Sequence, residues 1–364
     1  MKKTLIALAA VAATSAFAQS SVQIDGVLDA GFQQVSNKGV NTSDIGSNAS
    51  ATSGLNFRGT EDLGGGLKAN FRFESNWNPV ANNAVTNAGA AQSTFGNGEL
   101  RVGLSGGFGE VQLGRVNLPT LSVLGMGTPL GTTNYGNGFG ASHSSGVVSV
   151  VDSGATADAA GNHVRRNNAV RYFSPSFSGF QVHLYNVSKV DVNSATADHR
   201  GVVEGALTYV NGPVTIGYAQ NTETANKALG TGGAYDSSNQ TLAGNYNFGN
   251  GFTVYALSQR AKRSDDTLDR LSTLIGGRYV TGAHTFAVVV GNSKDSGTAT
   301  AAQVALGKGK TSNLASLGYD YALSKRTALY GRYENINDDG NVLGGNTDND
   351  QKRTRTALGL RHTF

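Results

Sequence analysis

From Ser21 to the C-terminus, apolar and polar residues alternate with a period of two, and helical spacing fits the same stretches less well. In SVQIDGVLDAGF (21–32), Val22, Ile24, Leu28, Ala30 and Phe32 share one face, with Gln23, Asp25 and Asp29 on the other. In GLKANFRFES (66–75), Leu67, Ala69, Phe71 and Phe73 oppose Lys68, Asn70, Arg72 and Glu74. VEGALTY (203–209) sets Val203, Leu207 and Tyr209 against Glu204 and Thr208. The chain ends the same way: in TRTALGLRHTF (354–364), Leu358, Leu360 and Phe364 lie on one parity, and Arg355, Gly359 and Arg361 on the other. Such segments predict β-strands with one apolar and one polar face.

The connections order these strands. Seven are short turns: EDLGGG (61–66), SGGFG (105–109), SPSFSG (174–179), VNGP (210–213), NFGNG (247–251), VTGA (280–283) and ALSKR (322–326). Gly, Asn, Asp and Pro supply the dihedral angles that tight hairpins need. Between them lie longer segments rich in Asn, Ser, Thr, Ala and Gly, at roughly 36–53, 77–98, 116–167, 189–200, 221–238, 261–268, 293–309 and 336–353. Seven short turns and eight long loops join sixteen strands. Alternating short and long connections, with an even strand number, predict a closed antiparallel transmembrane barrel with apolar residues toward lipid and polar ones toward a lumen. No hydrophobic core is then expected, and closure leaves no backbone edge unpaired in hydrocarbon. Phe108, Phe177, Phe180, Phe248, Phe252 and Tyr279 cluster beside the short turns, where an interfacial aromatic girdle would sit.

Composition agrees. The start MKKTLIALAAVAATSAFA has two lysines, an apolar stretch and an Ala16-Phe17-Ala18 ending, which predicts an export signal spanning 1–18 with cleavage after Ala18. Residues 19–364 then form the barrel. Without Lys2 and Lys3 the chain carries 27 basic against 25 acidic side chains, and no basic-aromatic block, so nucleic acid is not an expected partner. There is no cysteine, so stability rests on topology rather than disulfides. Beyond the signal no apolar run reaches the length of a spanning helix.

A lumen of this kind does its work through charge. Parity places Arg58, Lys68, Arg72, Arg101, Arg171, Arg278, Arg332, Arg355 and Arg361 inward, with Asp25, Asp29, Glu74, Glu204, Asp320 and Glu334. That balance mildly favours anions, although any one of these reads first as solvated lining. Other motifs are weak. GKGKT (307–311) lacks the earlier glycine of a phosphate loop, since position 304 is Val. Asp338, Asp339, Asp348 and Asp350 lack the ligand order of a calcium loop. The six histidines show no metal-ligand spacing, and Glu61-Asp62 reads as turn chemistry. No catalytic set, metal or cofactor is expected.

Several blocks carry a resemblance: SSVQIDGVLDAGF, GLNFRGTEDLGGGLKANFRFE, VGLSGGFGEVQLGR, NAVRYFSPSFSGFQV, YDYALSKRTALYGRY and the terminal GLRHTF. In that order, along the whole mature chain, they resemble the trimeric general porins of Gram-negative β-proteobacteria. The resemblance implies a homotrimer of sixteen-stranded barrels in the outer membrane, passing ions and small hydrophilic solutes. It also implies that the third outer loop, 116–167, folds inward to constrict the pore. Arg58 and Arg165 match constriction arginines of the family. A third commonly precedes the VGLSG strand, where this chain has Gly98-Glu99; Arg101, of inward parity, is the residue that would compensate. Asp152 and Asp158 are candidate acids on the loop facing the basic wall. The resemblance further makes Phe364 part of the signal read by the outer-membrane barrel assembly machinery, with lipopolysaccharide among the surrounding lipids. Two other readings stay in view. One is a substrate-selective porin or a barrel with an adhesin or structural role. The other is a barrel hydrolase, for which no catalytic grouping is found.

Overall fold

Segments with one apolar and one polar parity satisfy both faces only in a sheet closed on itself, with lipid outside and water within. The computed structural model describes residues 21–37, 39–80, 96–133, 135–136, 164–188, 201–224, 236–266, 268–298, 311–338 and 351–364. All its strands belong to one antiparallel sheet. In chain order they are β1 (Ser21–Asn37), β2 (Val40–Ser47), β3 (Gly54–Gly64), β4 (Leu67–Asn76), β5 (Leu100–Gly106) and β6 (Gly109–Asn117). After helix α1 (Pro119–Met126) come β7 (Arg165–Phe173), β8 (Phe180–Val187), β9 (Gly201–Asn211), β10 (Val214–Thr224), β11 (Ser237–Asn247) and β12 (Phe252–Arg263). The last are β13 (Asp269–Thr281), β14 (His284–Asp295), β15 (Thr311–Ala322), β16 (Thr327–Asp338) and β17 (Gln351–Thr363).

From β3 onward each strand pairs with its successor, and β17 returns to β1, from Val27 opposite Thr363 to Asn37 opposite Arg353. The chain end seals that seam. Gly26 and Phe364 exchange a pair of backbone hydrogen bonds at 3.1 Å. The Phe364 ring lies so close over Gly26 that a Cβ there would be 2.5 Å from it. β2 pairs with residues 30–37 of β1 and β3 with residues 21–27, so the two share one place in the wall. The barrel therefore has sixteen positions, as the pattern of turns predicts.

Two expected loops need correction. The segment 36–53 contains a strand of its own, β2, and only residues 48–53 leave the wall. The segment 261–268 shrinks to a tight link, because β12 runs to Arg263, whose amide donates to Leu268 across it at 3.0 Å. Both segments are Ser-, Asp- or Asn-rich, which reads as loop but also suits strand ends at a wet rim.

The outer face carries the apolar parity. Ile24, Val102, Ile275 and Leu358 are each more than half exposed, and the six aromatics beside the short turns are exposed as well. The inner face departs from expectation on one wall. Leu257, Leu274, Val289, Leu314 and Ile336 have inward parity yet are buried in an apolar cluster with Val116, Leu118, Val123 and Leu124. A hydrophobic core does exist, inside the barrel, because chain from the third long connection fills that side.

Candidate functional site

The described part of that connection, 118–133 and 135–136, lies within the barrel. Pro119 opens α1, where a missing N–H costs nothing, but the preceding Leu118 offers no side-chain cap. A carboxylate from the wall substitutes: Glu204 of β9 accepts from the Thr120 amide, and from its hydroxyl at 2.8 Å. At the other end Asn245 donates to the Met126 carbonyl at 2.9 Å. Beyond α1 the chain presses on glycines of inward parity. A Cβ at Gly276 would stand 2.8 Å from Pro129, and one at Gly318 2.4 Å from Leu130. The segment then reaches β16, where the Gly136 amide donates to Glu334 at 2.9 Å and Arg355 stacks 4.5 Å above the Tyr135 ring. Burial holds the Tyr135 phenol above its ordinary pKa. The segment thus crosses the lumen from β6 to β16, leaning on β8–β11 and away from β3–β5. Residues 137–163, with Asp152 and Asp158, lie outside the described residues.

The opposite wall is basic. Arg58 of β3, Arg72 of β4 and Arg101 of β5 stand directly across from one another in the strand registers. Like charges in one row repel, and carboxylates separate them. Asp25 pairs with Arg58 at 2.8 Å, and Glu74 with Arg72 at 3.1 Å. Glu110 lies 3.6 Å from Arg101. Glu99 sits behind the row, buried, 3.0 Å from Arg72, 3.2 Å from Arg171 and 4.0 Å from Arg101, and accepts from the Asn117 amide at 2.9 Å. Burial alone would raise its pKa; Arg171, the Asn117 amide, Arg72 and Arg101 outweigh that and hold it below the ordinary value. Arg165 is held behind the same wall by Asn117 at 2.8 Å and the Asn97 carbonyl at 3.2 Å. Five guanidiniums thus meet four carboxylates, and Arg58, with over half its side chain exposed, is the most accessible of the five.

A second inward feature arises where the wall breaks between β2 and β3. Residues 48–53 fold onto the inner surface of β1 and β15–β17. Asp29 Oδ2 accepts from the Ser50 and Ala51 amides, both at 2.6 Å, and Asp29 Oδ1 accepts from the Tyr330 hydroxyl at 2.5 Å. Ser50 Oγ receives Arg332 at 3.0 Å and Arg361 at 3.3 Å. Asn48 turns the corner at φ 64°, a conformation asparagine tolerates. Ala49 is fully buried in one cluster with Tyr135, Tyr330 and Ala357, so this elbow meets the end of the third-loop segment.

Parity thus finds the inward side, but not what lies over it. Asp29, Glu204, Arg332 and Glu334 are buried against the inner loops and anchor them, and Arg171 is buried against Gln112, Asn117 and Glu99 of the basic wall, rather than lining water as expected. Lys68 is exposed but faces Ser105 near a short turn, four residues from Arg72, and is not part of the row. Glu99, read as a break in an arginine pattern, is the acid around which that pattern is assembled. The elbow was missed because Asn48–Ser53 reads as polar loop. Asp29 is the available signal, an inward acid on a strand that has no basic residue of its own. Among the described residues, histidines and carboxylates form no metal-binding group. Ala18, residues 307–310 and Asp339, Asp348 and Asp350 lie outside the described residues.

Comparison with known proteins follows the same lines. Residues 4–341 match the family model described as Gram-negative porin. The chain is similar to outer membrane porin protein 32 of Delftia acidovorans, 34% identical over 392 residues and covering all of both chains. It is 30% identical over 421 residues to an outer membrane porin protein of Bordetella pertussis, again covering all of both. Among solved structures, an anion-selective porin from Comamonas acidovorans superposes with a TM-score of 0.75 at 27% identity, covering 95% of this chain and 100% of that one. OmpT of Vibrio cholerae, at 16% identity and a TM-score of 0.64 over 95% of this chain and 98% of its own, shares the fold.

Proposed function

The chain belongs to the Gram-negative porin family and is an outer-membrane barrel channel, and from that premise we propose that Arg58, Arg72 and Arg101 give it a weak preference for anions. The row of three arginines in register carries this reading. It lies on the wall that the described part of the third-loop segment leaves uncovered, so a solute passes between the two. Five arginines against four carboxylates leave the wall net positive. The segment 116–167 acts as the constriction, with the elbow at 48–53 narrowing the same passage. No bond is made or broken; selection comes from width and field. Ions and small hydrophilic solutes are the expected cargo, and catalytic activity is not.

A homotrimer is the expected assembly, and strand length supports where copies would meet. β5 and β8 have 7 and 8 residues, short of the 9–11 that a tilted spanning strand needs. A wall that low is completed by protein rather than lipid. In the same reading, residues 1–18 direct export and Phe364 is part of what the assembly machinery recognises.

Purified trimers in a planar bilayer under a potassium chloride gradient give the test. The reversal potential should lie on the anion-selective side and move toward cation preference in Arg58→Ser. A cation-selective wild type, or a potential that Arg58→Ser leaves unchanged, sinks the assignment.

A further inference from the structure

The outer face of the wall from β12 to β17 carries a recess of about 790 Å³. Most of its lining falls on two neighbouring outward rows, with Ala287, Gly318, Arg332 and Ala357 of inward parity closing its floor. Phe252, Tyr279, Phe286, Tyr319, Gly331 and Leu358 stand opposite one another in the first, strand after strand. The second runs beside it through Gly277, Val288, Leu317 and Tyr333. Gly277 and Gly331 leave outward positions without a side chain, and the flanking aromatics stand up as rims. A Cβ at either would meet nothing closer than 3.4 Å, so these glycines are not there for want of space. Five strand spacings spread the rows over about 24 Å of the wall, and the recess is almost wholly apolar.

A second observation lies beneath it. Of the seven short turns, only that between β15 and β16 carries cations, Lys325 and Arg326. Both are exposed, and neither pairs with a carboxylate among the described residues. They lie in the turn that joins the strands of Tyr319 and Gly331, three register pairs beyond that pair. Short turns of such barrels face the periplasm, so the two charges sit at the head groups of the inner leaflet. Strands β12–β17, at 12–13 residues, span the apolar layer fully. This side therefore faces lipid, unlike the low wall at β5–β8.

We propose that the recess is a binding site for one diacyl phospholipid of the periplasmic leaflet, with its phosphate at Lys325 and Arg326 and its chains rising from there across the two rows. The site rests on the outer-membrane placement, but not on ion selectivity.

Folded trimers extracted in mild detergent from outer membranes, and weighed intact by mass spectrometry, provide the test. The wild type should retain about one phospholipid per chain, one for each recess. Gly277→Leu with Gly331→Leu should abolish retention while single-channel conductance is unchanged, which separates this site from the pore. Lys325→Ser with Arg326→Ser should weaken added phosphatidylglycerol roughly thirtyfold, since each cation near an anionic head group is worth about fivefold. Equal retention in all three proteins overturns the site, as does lipid A in place of phospholipid. Should the leucine pair fail to fold, Leu317→Cys decides, because the chain has no cysteine of its own. A fluorophore there that is quenched by brominated phospholipid supports the site. A disulfide between copies at that position would place protein in the recess and refute it.

Discussion

Arg58 and Glu99 show how differently two charges of one wall can act. Arg58 has one close acid and over half its side chain in the lumen, so removing it changes the field on a passing ion and little else. In a water-filled pore one charge about 8 Å from an ion is worth about 0.5 kcal/mol. That acts oppositely on the two ions, so Arg58→Ser should lower the anion-to-cation permeability ratio roughly fivefold. Glu99 is buried among three guanidiniums. Glu99→Gln should raise the anion ratio, but it also leaves Arg72 and Arg171 facing an uncharged partner. Breaking a buried pair costs about 3–5 kcal/mol, so this variant should melt from trimer to monomer at a lower temperature in gel shift assays, whereas Arg58→Ser should not. If both variants shift selectivity with equal thermal stability, Glu99 is not the organising acid.

At the scale of elements, the inner surface is built from two inserted pieces of chain, and each has a point of attachment that can be tested. Asp29→Ala strips the acceptor from the Ser50 and Ala51 amides and from Tyr330. Each unpaired buried group costs about 1–3 kcal/mol, enough to release the elbow, and single-channel conductance should rise. Unchanged conductance would place the elbow outside the narrow part of the pore. Gly318→Leu pushes on Leu130 from the wall, where even a Cβ would come within 2.4 Å. It should shift the third-loop segment and change conductance without dissociating trimers. Such attachments were not legible in the sequence, whereas the strands were. A strand announces itself locally, because Leu67, Ala69, Phe71 and Phe73 lie on one side within a few residues. The partners of Glu204, Glu334 and Asp29 lie 84, 198 and 21 residues away, and no local period encodes them. For the same reason the inward Leu257, Leu274 and Ile336 look like lapses in the alternation until the segment they cover is in place.

At the scale of the molecule, the barrel is taller on one side than the other, and that asymmetry sets what each side can face. Leu100–Gly106 is 7 residues and Asp269–Thr281 is 13. Projected on a strand tilted by about 40°, at roughly 3.3 Å per residue, seven residues cover about 18 Å, less than the apolar band of about 25 Å. Val102 and Ile275 stand outward at the middle of these two strands, both more than half exposed in the single chain. An arginine on a lipid-facing wall near the midplane costs about 2–4 kcal/mol, which a barrel with this many strand pairings can absorb. An arginine inside a contact between copies instead opposes assembly, since in the proposed trimer three such charges would meet around one axis. Val102→Arg should therefore yield folded monomers on unheated gels, while Ile275→Arg should leave trimers intact and lower only the temperature at which the barrel itself unfolds. The reverse pattern would move the contact between copies to the tall wall and leave the low wall facing a thinned bilayer.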